Sequence, residues 1–350
     1  MNLKTIDELI PTEKLGFGNY YGKLMLEAHY KDGEWKPWTI SNVHALELHP
    51  GAKALHYAQE IFEGLKAYKQ DDGIFMFRPD ANISRMSKSA EYLAMPPYPE
   101  DQFLEGIKLL VSKSKHLVPE LPGSLYLRPT MIGRSANLGV APSAEYMFYV
   151  LTSPVGGYFG DITSDKPACI DIWASDIHVR AVRGGLGAAK TGANYAASLR
   201  AVAEAKKRGF HNVLFLDAIE RKNLEELSGM NVFVVEDGIL KTPPLGDTIL
   251  AGVTRDSLLK IAKQEGLAVK EEQIPIDRLL EGLATKRVTE VFACGTASVV
   301  TSIKRLGWLH ESIDINGGEP GPVATKLYQT LTGIQSGKLT PVDPSWLVKC

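Results

Sequence analysis

The chain has 350 residues, of which 44% are hydrophobic and 23% are charged, and its formal net charge is −2. These values are typical of an ordinary soluble globular protein. The length exceeds the roughly 250 to 300 residues at which a single core stops growing, which predicts two domains. A nucleic-acid partner is not expected, because the sequence has neither a basic excess nor a stripe of Lys and Arg.

Neither a membrane segment nor a secretory signal is predicted. No apolar run reaches the roughly 18 residues of a membrane span, and the first residues, MNLKTIDELI, are polar. Cys169, Cys294 and Cys350 lie far apart without metal-ligand spacing, and an odd number cannot all pair internally. We therefore expect no metal site and a reducing, cytoplasmic setting.

The first 155 residues combine predicted strands and helices. TISNV, AYKQDDGIFMF and SLYLRPTMI have the composition of strands, and the pair Asp72-Gly73 suits a hairpin turn. A helix is predicted after Pro79 with Asp80 as its cap, and the pair Pro96-Pro97 ends it.

A domain boundary is predicted in PVGGYFGDITSDKP, residues 154–167, which combines Gly, Pro and Asp. The prediction is a small N-terminal α/β domain (1–155), a loop (156–167) and a large C-terminal domain (168–350) that carries Lys190. Beyond the loop we predict a strand ACIDIWA, a turn GGLGAA, a helix from about Tyr195 to Arg208 and a strand VLFLD. A hairpin at Glu236-Asp237-Gly238, a helix capped by Thr254 that ends at Gly266, and a strand at 290–293 follow.

GGLGAAKTGANYAASL, residues 184–199, allows two interpretations. It nearly matches a phosphate loop, but Ala189 replaces the second glycine that lets the backbone fold around phosphates. Alternatively, small residues flank Lys190 because a flat cofactor lies against a reactive amine. A lysine beside glycines is more often a plain loop residue, so this stretch alone does not decide between a phosphate loop and a reactive lysine.

Other segments supply what a pyridoxal phosphate site needs beyond a lysine. LEELSGMN offers Glu226 as the acid for the ring nitrogen, and in an extended backbone its neighbour Glu225 is expected to point out to solvent. AGVTRD and CGTAS offer N–H and hydroxyl donors for a phosphate, and Arg85 offers a charge. Each feature taken singly is more simply a cap, a turn or a surface residue.

Together these segments resemble the branched-chain amino acid aminotransferases, which are pyridoxal phosphate enzymes of fold type IV. The resemblance extends over nearly the whole chain, through FGNYYGKLML, LHYAQEIFEGLKAY, FRPDANISRM, SLYLRPTMIG, PVGGYF, KTGANYAASL, EELSGMN, LAGVTRD and ACGTAS. It implies an α/β (α+β) fold of two domains with the cofactor between them.

The resemblance also implies roles for individual residues. Lys190 matches the catalytic Schiff-base lysine. The cofactor-binding positions are Arg85, Arg180, Tyr195, Glu226, Val253, Thr254 and Thr296. The substrate-binding positions are Phe17, Tyr57, Phe62, Tyr126, Arg128, Leu138, Val140 and Ala297. Of these, Tyr57, Leu138 and Val140 match residues that reach the site of a neighbouring subunit, which implies a homodimer.

The implied reaction is reversible, ping-pong transfer of an amino group between Leu, Ile or Val and 2-oxoglutarate. Three alternatives stay open at this point. The first is another fold type IV enzyme, a D-amino acid transaminase or an aminodeoxychorismate lyase. The second is a phosphate-loop NTPase, and the third is a non-catalytic protein that binds the cofactor without turnover.

Overall fold

The computed structural model of the protein describes residues 4–159 and 165–350, so residues 160–164 of the predicted interdomain loop lie outside the described part. The strands, in chain order, are β1 (Thr5–Ile6), β2 (Tyr21–Gly22), β3 (Leu24–Lys31), β4 (Glu34–Trp35), β5 (Thr39–Asn42), β6 (Glu60–Phe62), β7 (Leu65–Gln70), β8 (Gly73–Phe77), β9 (Ser124–Gly133), β10 (Tyr146–Val155), β11 (Ala168–Ala174), β12 (Asn212–Leu216), β13 (Leu224–Leu227), β14 (Asn231–Glu236), β15 (Ile239–Thr242), β16 (Val269–Glu271), β17 (Val288–Gly295), β18 (Val299–Trp308), β19 (Glu311–Asp314) and β20 (Leu347–Lys349). The helices are α1 (Thr12–Leu15), α2 (Lys53–Tyr57), α3 (Pro79–Tyr92), α4 (Glu100–Lys113), α5 (Gly192–Lys207), α6 (Val253–Gln264), α7 (Ile276–Ala284) and α8 (Pro322–Gln335). Short 3₁₀ turns occupy Lys115–Leu117, Asn316–Gly318 and Pro344–Trp346.

The chain divides into two compact units. Unit 1 contains Met1–Tyr158, Ala189–Gly192 and Gln335–Cys350, and unit 2 contains Phe159–Ala188 and Ala193–Ile334. This division corrects the sequence-based prediction, because Lys190 belongs to unit 1 and the last residues of the chain return to it. The two units are also of similar size rather than one small and one large.

Unit 1 is built on an antiparallel sheet with strand order β20-β8-β7-β9-β10-β3-β4, on which β5 pairs with β3 and β6 pairs with β9. The apolar stripes of α3 and α4, which include Ile83, Met86, Phe103 and Ile107, are buried in the same core as the sheet. Because side chains alternate along a strand, the opposite face of β6 and β9 remains for polar residues.

The hairpin and the helix predicted in unit 1 are both present, but the turn residues and the N-cap differ from the prediction. The predicted hairpin joins β7 to β8, and since Gln70 pairs with Gly73 its turn residues are Asp71 and Asp72. Helix α3 begins as expected at Pro79, but its N-cap is Arg78, in a left-handed conformation (φ 48°), and Asp80 lies in the first turn. Proline at the first helical position needs no N–H partner, which explains the start.

Unit 2 is built on a mixed sheet with strand order β13-β12-β11-β18-β17-β14-β15-β16, with β19 on β18. Strand β13 also pairs with β14 through Glu226 and Asn231, so the pairing of six strands runs as a closed circuit. The predicted hairpin joins β14 to β15, and α6 ends as predicted before Gly266. Its N-cap is Gly252 rather than Thr254, which lies in the first turn.

No helix within the described ranges is long and apolar enough to cross a bilayer.

Candidate active site

Lys190 is held by its backbone against β6 and α3, all within unit 1. The Lys190 carbonyl accepts a hydrogen bond from the Phe62 N–H (3.0 Å), and the Lys190 N–H donates to Ser89 Oγ (2.9 Å). Two residues on, the Gly192 N–H donates to Glu60 Oε1 (2.5 Å), and a Cβ at Gly192 would lie 2.0 Å from that oxygen. These bonds explain why the segment of the lysine belongs to unit 1, and a side chain at residue 192 would displace the Glu60 carboxylate.

The Lys190 amine lies beside an aromatic ring and near a buried carboxylate. Its Nζ is 4.8 Å from the centroid of the Phe62 ring. Glu63, the next residue, is fully buried. Burial opposes its ionisation, but the charges of Arg85 and Lys190 outweigh burial and hold the pKa of Glu63 below its usual value.

Arg85 makes a two-pronged ion pair with Glu63. Arg85 Nε donates to Oε1 (2.7 Å) and Nη2 to Oε2 (2.9 Å), while Asn82 Nδ2 (2.8 Å) and the Gly64 N–H (3.0 Å) also donate to Oε2. The predicted phosphate-binding Arg85 is therefore a buried residue of α3 that is oriented by a carboxylate. Glu63 was not predicted, since an isolated acid just after a short strand carries no signal of this kind.

The predicted substrate residues Phe17, Phe62, Tyr126 and Arg128 come together in unit 1. Arg128 Nη2 donates to Tyr126 Oη (2.8 Å), and the guanidinium carbon lies 4.7 Å from the Phe62 ring centroid and 5.2 Å from that of Tyr126. The Phe17 and Tyr126 rings meet edge to face at 5.0 Å. The Arg128 guanidinium therefore lies against the rings of Phe62 and Tyr126, and Phe62 also contacts the Lys190 amine.

The remaining predicted substrate residues of unit 1 form an exposed apolar patch. Tyr57 Oη donates to the Leu138 carbonyl, and Tyr57, Leu138 and Val140 are 41%, 65% and 88% exposed. Leu55, which is 59% exposed, adds to the apolar surface of α2. A contiguous exposed apolar patch is typical of an interaction surface.

Glu226, one of the predicted residues in unit 2, is a buried acid that contacts Arg180, Leu250 and Asn231. It is 3% exposed, and Arg180 Nη2 lies 2.5 Å from Oε1. The Leu250 N–H donates to Oε1 (3.1 Å) and Asn231 Nδ2 donates to Oε2 (3.0 Å). Arg180 is itself fixed by the Gly187 and Thr248 carbonyls (2.6 and 2.7 Å). A cation and two N–H donors stabilise the charged form of this carboxylate.

Glu225 is buried, which contradicts the prediction that it points to solvent. Leu227 pairs with Leu214 and Leu224 with Leu216, so β13 has one more residue than β12 between these pairs. A bulge of this kind breaks the alternation of side chains. Glu225 is 6% exposed, and burial raises its pKa to about 7, against the opposing effects of a Thr248 hydrogen bond and of Arg180.

The predicted phosphate residues Val253 and Thr254 form the first turn of α6. No side chain caps this turn within the described ranges, and both residues are 8% exposed. Asn231 Nδ2 donates to the Leu250 carbonyl (3.0 Å) as well as to Glu226, and a Cβ at Gly252 would lie 2.0 Å from Asn231 Oδ1. One amide therefore connects Glu226 with the start of the helix.

Tyr195, Thr296 and Ala297 complete the unit 2 set. Tyr195 lies in α5 and packs against Gly229, where an added Cβ would be 3.3 Å from its ring. Thr296 and Ala297 occupy the turn between β17 and β18, which is closed by the pair of Gly295 with Val299. The predicted residues thus fall into two sets, one in each unit. The unit 2 set includes the pair of Arg180 and Glu226, and in unit 1 Arg85 pairs with Glu63, which was not predicted.

Comparison with known proteins decides the family. The sequence profile described as Amino-transferase class IV matches residues 60–306. The chain belongs to the class IV aminotransferases. The family, the mixed α/β fold and the enzymatic nature predicted from the sequence are all confirmed.

Relatives of this class IV aminotransferase carry consistent names. It is 44% identical to branched-chain-amino-acid transaminase 1 of Bacillus subtilis, over 93% of this chain and 91% of the relative. It is 45% identical to the branched-chain-amino-acid aminotransferase of Mycolicibacterium smegmatis, over 95% and 92% of the two chains.

Solved structures give the same result. The branched-chain amino acid aminotransferase of Escherichia coli matches with a TM-score of 0.76 and 28% identity, covering 92% of this chain and 98% of that one. A T.th. branched-chain amino acid aminotransferase with pyridoxamine 5′-phosphate matches with a TM-score of 0.75 and 29% identity over the same shares. A phosphate-loop NTPase is therefore not the family of this chain.

Proposed function

We propose that this class IV aminotransferase is a branched-chain amino acid aminotransferase, which uses pyridoxal 5′-phosphate to transfer an amino group between Leu, Ile or Val and 2-oxoglutarate. The observation that carries the proposal is that the Phe62 ring contacts both Lys190 and Arg128. The centroid of this ring lies 4.8 Å from the Lys190 amine and 4.7 Å from the guanidinium carbon of Arg128. A reactive amine therefore lies next to a wall that offers both apolar surface and a charge, as the two unlike substrates require.

The residues present fit the cofactor. Glu226 is a buried carboxylate kept charged by Arg180, Asn231 and the Leu250 N–H, which suits a protonated pyridine nitrogen. The first turn of α6 has no side-chain cap within the described ranges, and free N–H groups at a helix N-terminus favour a phosphate. Val253, Thr254, Thr296 and Arg85 would hold the phosphate, and Tyr195 would hydrogen-bond the ring oxygen.

Pyridoxal phosphate, when bound, supplies an aldehyde carbon that takes the amino group and a ring that accepts an electron pair from the α-carbon. Lys190 would hold the cofactor through Nζ, and its amine would move the proton between the substrate α-carbon and C4′ of the cofactor. Glu226 would hold the ring nitrogen in its protonated form, and Arg180 restrains Glu226. The Phe62 and Ser89 contacts keep the Lys190 backbone fixed while its side chain is released.

Substrate selection rests on the aromatic group of unit 1. Phe17, Phe62 and Tyr126 surround branched aliphatic side chains with apolar surface. Arg128, oriented by Tyr126 Oη, gives a charge-assisted hydrogen bond to the side-chain carboxylate of glutamate. Ala297 and the N–H groups next to it bind the carboxylate that all substrates share.

The same proposal includes a homodimer. The exposed patch of Leu55, Tyr57, Leu138 and Val140 is apolar, and Tyr57 is already tied to the Leu138 loop by a hydrogen bond. Covering this patch with a second copy would bury it and bring Tyr57, Leu138 and Val140 to the neighbouring site. Free Cys169, Cys294 and Cys350 suit a reducing compartment, and we place the enzyme in the cytoplasm.

An absorbance spectrum of the purified protein tests this function. We expect a yellow protein whose visible band shifts to that of the aminated cofactor on addition of L-leucine, and returns with 2-oxoglutarate. D-alanine serves as the control, because a D-amino acid transaminase would respond to it instead. A protein that takes up no pyridoxal phosphate, or that responds only to D-alanine, would overturn the proposal.

A further inference from the structure

Glu60 is an acid that the mechanism above does not use, and it lies on the same face as the substrate residues. It begins β6, two residues before Phe62, so the two side chains point to the same side of the strand. Glu60 pairs with Ile132 and Phe62 with Thr130 across the β6 and β9 ladder. Arg128 lies two residues before Thr130 in β9, and its side chain is therefore on the same face.

The carboxylate of Glu60 is half-buried and fixed in place. Its Oε1 accepts the hydrogen bond from the Gly192 N–H (2.5 Å), which ties it to the segment of Lys190. A Cβ at position 192 would lie 2.0 Å from Oε1, so a larger residue there would displace the carboxylate. The acid is therefore a built part of the site rather than a mobile surface group.

The charged and titratable groups that face Glu60 come from two neighbouring elements. From β9, the positive charge of Arg128 acts on the carboxylate, and from β10 the phenol of Tyr149 is close enough for Glu60 and Arg128 both to influence its proton affinity. Tyr21 in β2 lies next to Tyr149 in turn. Burial raises the pKa of Glu60, and the Gly192 N–H and Arg128 oppose the shift without cancelling it.

The two classes of substrate place different charges beside Arg128 and Glu60. With a branched aliphatic side chain bound, the substrate side chain brings no charge to Arg128, and the ionised carboxylate of Glu60 on the same face balances the guanidinium. With the side-chain carboxylate of glutamate on Arg128, an ionised Glu60 becomes a second negative charge nearby, and like charges disfavour ionisation.

We propose that Glu60 is the exchangeable counterion of Arg128: it balances the guanidinium while an aliphatic substrate is bound and takes up a proton from solvent when a dicarboxylate binds. The inference rests on the proposed function, in which Arg128 receives the side-chain carboxylate. Binding of glutamate or 2-oxoglutarate is then coupled to uptake of one proton at Glu60, whereas binding of a branched-chain substrate is not. Glu60 thus sets the relative affinity of the site for its two classes of substrate as a function of pH.

Two non-reacting ligands isolate this coupling in the loaded enzyme. Glutarate has the carbon chain and both carboxylates of glutamate without the amino group, and 4-methylpentanoate replaces the second carboxylate by the leucine side chain. Calorimetric titration of each ligand in buffers of different ionisation enthalpy gives the number of protons taken up on binding. We expect uptake approaching one proton for glutarate above the pKa of Glu60 and none for 4-methylpentanoate.

Glu60→Gln supplies the variant test, because the amide retains an acceptor for the Gly192 N–H and removes the charge. In the wild type, glutarate binding should weaken by up to about tenfold for each pH unit above the pKa of Glu60. In Glu60→Gln the proton uptake and this pH dependence should disappear, and glutarate should bind more tightly at high pH. Glu105→Gln, an exposed change in α4, is the matched control and should behave as the wild type.

The outcomes separate this inference from the proposed function. A protein without a leucine-dependent spectrum fails the proposed function before any titration is made. A protein that passes that test but binds glutarate without proton uptake, or keeps the uptake in Glu60→Gln, overturns the role of Glu60 alone. The wild-type titration decides the point even where the variant does not fold.

Discussion

The carbonyl oxygen of Lys190 accepts a hydrogen bond from the backbone N–H of Phe62, at 3.0 Å, while the Lys190 amine lies over the Phe62 ring. One residue therefore both fixes the backbone of the lysine and forms a wall beside its side chain. Because the restraint acts on the main chain, it survives replacement of the lysine side chain.

Lys190→Ala is expected to abolish amino transfer without unfolding the protein. The bonds of residue 190 to Phe62 and Ser89 use backbone atoms and remain, whereas the amine that holds the cofactor and moves the proton is lost. Turnover of L-leucine and the thermal midpoint are the two measurements. Lys207→Ala, at the exposed end of α5, is the control. Near-normal turnover in Lys190→Ala would refute the assignment.

Arg128→Gln should separate the two halves of the reaction. Loss of a charge-assisted hydrogen bond costs roughly 1.5 to 3 kcal/mol, so the KM for 2-oxoglutarate should rise about 10- to 100-fold. The spectral change produced by L-leucine should be altered much less, because Phe62 and Tyr126 remain. Arg200→Gln, an exposed change in α5, serves for comparison. Equal losses for both substrates would show that Arg128 is a general structural group.

Glu226→Gln should lower kcat for L-leucine by about 100-fold or more, the scale of removing one electrostatic stabiliser. The single amide oxygen can keep the hydrogen bond of only one of the two donors, the Leu250 N–H or Asn231 Nδ2, and the buried Arg180 loses its counterion, so the thermal midpoint should also fall. Stopped-flow measurement of the leucine half-reaction reports the rate. A reduction of only a few-fold would mean that another acid meets the ring nitrogen.

Glu225→Gln should stabilise the protein at alkaline pH. The pKa of Glu225 is about 7 in the folded protein and lower in the unfolded chain, so the unfolded state loses its proton first. Stability of the wild type should therefore fall as pH rises between these two values, and the amide removes this loss. We expect a gain of about 1 to 2 kcal/mol at pH 8 and little difference at pH 4.

Urea unfolding of the protein without cofactor at both pH values measures the effect of Glu225→Gln. Glu220→Gln, an exposed acid ahead of β13, is the control. A variant with the same pH dependence as the wild type would show that Glu225 does not titrate in this range.

Much of the architecture could be predicted from local patterns. Turn signals placed the β7 to β8 and β14 to β15 hairpins, and helical spacing placed α3 and α6 to within a few residues. The family followed from motifs distributed along the whole chain, and its match to residues 60–306 confirms it. The assignment of individual residues to the cofactor and to the substrate remains a prediction that the variants above test.

What the sequence did not reveal depends on contacts between distant segments. The burial of Glu225 follows from a bulge defined by pairing with β12, and alternation within β13 gave the wrong side. Lys190 belongs to unit 1 because Phe62 and Ser89, far away in sequence, hold it. Glu60 begins a short strand and Glu63 follows its end, and for single acids of this kind a solvated side chain is the ordinary expectation.

The return of the C-terminus to unit 1 bears on how the protein is made. Strand β20 pairs with β8 at the edge of the unit 1 sheet, and the Trp346 carbonyl accepts a hydrogen bond from the Arg78 N–H. During synthesis the residues of unit 2 leave the ribosome before this edge strand does. The first unit to be translated is therefore the last whose sheet can be completed, and a nascent chain truncated before Trp346 exposes the edge of β8 to other chains.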